Sequence, residues 1–132
     1  MMDAETKRAR RRLFRQISKP TVYPGGFVLK GVTQRRAKRC YELAAARMLD
    51  DDVGRGWRLV HGVIYPHKPD LPKVPIPHAW IERGGEAWEP VRDQWMPEET
   101  FNRLFRAQAE HRYTQRETAK LMLEHNHWGG AW

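Results

Sequence analysis

The sequence has almost no cysteine, few acids at its start and no long apolar run. Of 132 residues only Cys40 is a cysteine, which excludes an internal disulfide and any cysteine-rich zinc module. A reduced, cytoplasmic setting is therefore the expectation. Charges interrupt every apolar stretch, so no segment approaches the roughly 18 apolar residues of a membrane span. The opening Met1-Met2-Asp3-Ala4-Glu5-Thr6-Lys7 has no apolar core or small-residue cleavage site, so no secretory signal is expected.

What is present is a globular composition, with 40% apolar and 11% aromatic residues, six of them Trp. That suits one domain with a modest core and argues against wholesale disorder. The net charge of +8 is uneven: residues 1–40 carry twelve Lys/Arg against Asp3 and Glu5, while the remainder carries twelve against fourteen acids. The sequence thus divides into a basic N-terminal arm, residues 1–19, and a single domain, residues 20–132. Arg8, Arg10, Arg11, Arg12 and Arg15 make the arm a candidate surface for an anionic partner, either nucleic acid or an acidic protein face. A solvated, solubilising tail would have the same composition.

Residues 4–18 predict a helix with Leu13, Phe14 and Ile17 on one side, broken by Pro20, Pro24 and Gly25-Gly26. Ala37, Tyr41, Ala44 and Met48 recur at three- and four-residue steps and predict a second helix from Thr33 to Leu49, ended by Asp50-Asp51-Asp52 and Gly54. The β-branched and aromatic run 57–65 predicts a strand, and the five prolines between 66 and 77 an extended loop. Residues 78–82 and 86–91 flank Gly84-Gly85 as a hairpin. Pro97-Glu98-Glu99-Thr100 opens a helix bearing Phe101, Leu104 and Phe105. Thr114-Gln115-Arg116-Glu117 forms a capping box for a last one, stopped by Trp128-Gly129-Gly130. Helices set apart from an antiparallel sheet make the expected class α+β.

The hairpin register carries chemical meaning. With Gly84-Gly85 as the turn, Arg83 faces Glu86, Ile81 faces Trp88, Trp80 faces Glu89 and His78 faces Val91. His78, Trp80 and Glu82 share one strand face. Glu89 lies on that face as the diagonal neighbour of His78, about 7–8 Å away by Cα. A glutamate spans that gap and accepts the second imidazole N–H, the third group's role in a nucleophile–base–acid triad. Cys40, after the basic pair Lys38-Arg39, is the candidate nucleophile. A helix starting at Thr33 would bury Cys40 two turns in, beyond the reach of the positive helix end; a start nearer Lys38 suits the chemistry.

Arg39-Cys40-Tyr41-Glu42-Leu43-Ala44, Leu59-Val60-His61-Gly62-Val63, His78-Ala79-Trp80-Ile81-Glu82 and Trp88-Glu89-Pro90 together resemble the core of the transglutaminase-like branch of the papain-like cysteine superfamily. The resemblance covers roughly residues 38–91 in the family's order. It implies a papain-like core with Cys40 as nucleophile, His78 as general base and acid, and Glu89 as orienting carboxylate, working on a protein or peptide amide without metal or cofactor. Glu89 stands where the family has Asp, and Lys38-Arg39-Cys40-Tyr41 replaces the enzymes' Gly-x-Cys-Trp. Gln34, six residues before Cys40, has the spacing of the papain-type oxyanion donor, and Trp80 is a second candidate for the oxyanion site or cleft. Acyl transfer, hydrolysis and deamidation share a thioester intermediate, and a fold does not choose among them.

The alternatives are a catalytically inactive papain-like scaffold or a basic accessory protein, of a bacterium or phage, that binds nucleic acid or protein. His61, in mid-strand, reads as structural. His125 and His127 lack a second ligand pair, so no metal site is expected. Trp80, Trp88 and Trp95 also suit core packing, and Trp57 either joins them or lines the cleft.

Overall fold

The protein is described by a computed structural model covering residues 3–50, 56–68, 71, 73–130 and 132. Asp51, Asp52 and Gly54, expected to end the second helix, and Pro69 and Pro72 of the proline loop lie outside these residues. The fold is α+β, a five-stranded antiparallel sheet between helices on both faces. In order come α1 (Ala4–Ile17), β1 (Thr21–Val22), β2 (Val28–Leu29), α2 (Cys40–Met48), β3 (Arg58–Ile64), β4 (Ile76–Arg83), β5 (Glu86–Glu89), β6 (Gln94–Pro97), α3 (Glu98–Phe105), β7 (Gln108–Tyr113) and α4 (Gln115–His125). The large sheet runs β6-β5-β4-β3-β7, and β1-β2 form a separate hairpin. Gln94 ties that hairpin down, accepting from Lys30 N and donating to Val28 O.

The β4–β5 turn is short because Gly84 and Gly85 take φ of +47° and +82°, a conformation in which a side chain is strained. Ile81 pairs with Trp88 and Arg83 with Glu86, the expected register. The pairing stops short of the expected partnership of His78 with Val91: β5 ends at Glu89, and the chain turns back at Pro90 into β6.

Period-two alternation divides the core into two layers. Val60, Trp80, Ala87 and Met96 face α3, whose Phe101 and Phe105 are fully buried against them. Leu59, Ile81, Trp88 and Trp95, cross-strand neighbours in one row, face α2 through Ala44 and Met48. The tryptophans are thus packing residues, and Trp57 joins the second layer beside Trp95.

The second helix is shorter than its apolar spacing predicts. Residues 34–38 are turns, Lys38 is left-handed at φ +65°, and the helix begins at Cys40. Left-handed backbone cannot continue a right-handed helix, so the positive-φ residue sets the boundary. β7 and β6 lie where no strand was expected. Gln108–Tyr113 is polar because it is the exposed edge of the sheet, and only Ala109 and Tyr113 are half-buried. β4 begins inside the expected proline loop, at Ile76. The last helix ends with Asn126 left-handed, before Trp128-Gly129-Gly130, and its Thr114–Glu117 capping box is formed. No helix among the described residues is long and apolar enough to cross a membrane.

Candidate active site

The start of α2 at Cys40 places the thiol on the first turn, where backbone N–H groups lack intrahelical acceptors and the helix end is electropositive. Two contacts hold this turn against the end of β5. Arg36 Nε donates to the carbonyl of Pro90 at 2.8 Å, and Cys40 packs with Val32 and Val91. Across from it, β4 delivers His78 and the main chain of Ala79.

His78 Nε2 lies 2.6 Å from Glu89 Oε1, both side chains buried. The pair forms because one long carboxylate spans the diagonal between adjacent strands. Glu89 Oε2 takes a second partner, Arg92 Nη1, at 2.9 Å. With Nε2 committed to Glu89, Nδ1 is left for Cys40, and the thiol and the His78 ring each shift the other's pKa. Below the ring lies Trp80, stacked at 25° with centroids 6.2 Å apart.

Burial alone would hold the Cys40 thiol protonated. The hydrogen bond and charge of His78 overcome that, helped by the Ala79 N–H and opposed by Glu89, and bring its pKa below the ordinary value. Burial likewise disfavours imidazolium, but hydrogen bonds to Cys40 and Glu89 and their charges raise His78 to about 9. Glu89 resists burial through His78 and Arg92 and falls to about 2. Imidazolium, carboxylate and guanidinium leave one positive charge, which a Cys40 thiolate would balance to zero. That balance is what allows four charges in so dry a place.

The structure brings Cys40, His78 and Glu89 together. It does not bring in Gln34, which is exposed on the turn before α2. Nor does Trp80 line a cleft: it is 1% exposed, packed on Phe101, with its indole N–H unpartnered. Arg8, Arg10, Arg11, Arg12 and Arg15 are all exposed along α1. That helix is docked, with Phe14 and Ile17 against the Cys40 cluster and Val32 N donating to Ile17 O. Together they leave Cys40 8% exposed.

Sequence reasoning missed Arg92, Arg36 and the cover formed by α1. Arg92 had one available signal, its place three residues after Glu89 beyond a proline turn. His61 is boxed by Tyr41, Tyr113 and Trp132, and burial with the nearby His111 lowers its pKa to about 4, so it stays neutral. Among the described residues, no group of three or more His, Cys, Asp or Glu is placed to hold a metal ion. Comparison with protein-family models, curated proteins and solved structures finds no match to this chain.

Proposed function

We propose that this chain has a papain-like core of the transglutaminase-like kind and performs cysteine-dependent acyl transfer or amide hydrolysis on a protein or peptide. The observation that carries the reading is the 2.6 Å His78–Glu89 bond, with Cys40 on the first turn of a helix at the other side of the ring. In this mechanism the Cys40 thiolate attacks the amide carbonyl carbon. The tetrahedral oxyanion is met by the free N–H groups of the first turn of α2. His78 imidazolium gives its proton to the leaving amine as the C–N bond breaks, leaving a thioester and neutral imidazole. Water or a primary amine then attacks the thioester, giving a proton to His78, and the thiolate departs. No metal or cofactor enters these steps. A free thiol working this way fits a reducing compartment such as the cytoplasm.

The test is the rate of Cys40 alkylation by iodoacetamide against pH, in the wild type and in His78→Ala. The expected result is reactivity rising through an apparent pKa below the ordinary thiol range, shifted upward and slowed in the variant. A thiol inert until the chain is denatured would overturn the enzyme reading. The 8% exposure of Cys40 beneath Phe14 and Ile17 favours the second reading, an inactive scaffold with the same fold. In either case the exposed arginines of α1 remain a surface for an anionic partner.

A further inference from the structure

A second concave site lies away from the Cys40 cluster, where β3 ends against the C-terminus of α3. Tyr65 N donates to Phe105 O at 2.7 Å and closes this junction. The concavity, about 170 Å³, is lined by Tyr65, Leu104 and four cations: Lys68, Lys73, Arg103 and Arg106. Arg106 reaches it because it caps α3 in a left-handed conformation at φ +47°. A basic residue near a helix C-terminus has a ready explanation in the dipole, and that accounts for Arg103. It does not account for four converging cations.

Among the described residues none of the four is in an ion pair. Other arginines of the fold do find carboxylates: Arg39 with Glu42, Arg83 with Glu86, Arg92 with Glu89 and Arg112 with Glu82. The unpaired cations surround a space several times the roughly 30 Å³ that one water occupies in the liquid. Their mutual repulsion is relieved by an anion placed among them. The site also has a direction. Lys68 Nζ donates to Gln16 O at 3.5 Å, which joins the pocket to the end of α1. From there Arg15, Arg12 and Arg8 continue at three- and four-residue steps over about 10 Å of helix. Arginines present forked donors suited to phosphate oxygens, and the half-buried Tyr65 puts an aromatic side chain in the lining.

We propose that this pocket seats a backbone phosphate of a single-stranded nucleic acid whose strand continues along the arginines of α1. The proposal rests on the anionic-partner reading of α1 and adds a built site to it.

The experiment is fluorescence anisotropy of a labelled oligothymidylate on the full chain at two salt concentrations. With at least four phosphate contacts, affinity should fall at least ~50-fold between about 50 and 200 mM salt. Lys73→Ala with Arg103→Ala, both exposed, should weaken low-salt binding at least ~10-fold and make the log–log slope shallower by about 0.7, the loss of one phosphate contact. Unchanged binding in that variant, with binding lost in Arg8→Ala/Arg12→Ala/Arg15→Ala, would overturn the pocket while leaving the α1 reading in place. A polyaspartate competitor of equal charge displacing the oligonucleotide at equal concentration would overturn the nucleic-acid assignment. No binding by the wild type would overturn both.

Discussion

Glu89 divides its two oxygens between His78 and Arg92 and has no exposed surface. Replacing it with Gln keeps the shape and removes the charge, so its two roles separate. The His78 ring loses an anion that offsets its burial, and its pKa, about 9 in the native protein, should fall by more than a unit. Arg92, left without its carboxylate, should cost on the order of 3 kcal/mol of stability. NMR titration of His78 and urea unfolding measure the two separately. A stability loss with an unmoved His78 pKa would make Glu89 a partner of Arg92 only. The reach of Glu89 toward His78 is legible from strand alternation and the Gly-Gly turn alone. The involvement of Arg92 is not, because it depends on where the chain turns after Pro90, which strand periodicity does not encode.

At the scale of elements, α1 is both the most basic segment and the cover of the thiol. Its Phe14 and Ile17 are the apolar positions that helical spacing picks out; what they pack against is a tertiary matter, set by the β1–β2 connector that folds α1 back. Phe14→Ala with Ile17→Ala should therefore raise the rate of Cys40 alkylation several-fold while lowering stability by about 2 kcal/mol. An unchanged rate would mean that Cys40 is screened by Val32 and Val91 instead. Elsewhere the sequence misleads for identifiable reasons. Ala37 continues the periodicity of α2, but left-handed Lys38 intervenes, and turn conformation outweighs apolar spacing. β7 escapes detection because an edge strand facing water needs no alternating apolar residues.

For the whole molecule, four buried titratable groups bear on stability: His78, Glu89 and His61 set opposing limits, and Cys40, with its lowered pKa, partly offsets the alkaline loss from His78. His78 is raised from 6.5 to about 9, so its contribution is complete below pH 6.5 and disappears as pH rises through 9. Glu89 is lowered from 4.5 to about 2, so its contribution is complete above pH 4.5 and is lost as pH falls toward 2. Neutral His61, lowered from 6.5 to about 4, adds a further loss as pH falls between those values. Stability should peak just below neutrality and decline on both sides, read as the urea midpoint from pH 4 to 9.5. His78→Ala should flatten the alkaline decline, and an alkaline limb left intact would assign it to other groups.

His78, Glu89 and Arg92 fall within fifteen consecutive residues, on one tight hairpin and the turn after it. Closing that hairpin brings the imidazole, carboxylate and guanidinium together by local contacts, at small loop entropy. Cys40 joins from some forty residues away, and only once α2 has docked. Loop entropy thus favours assembling the charged half of the site before the sulfur arrives, with the thiol meeting its imidazole as the core closes around both.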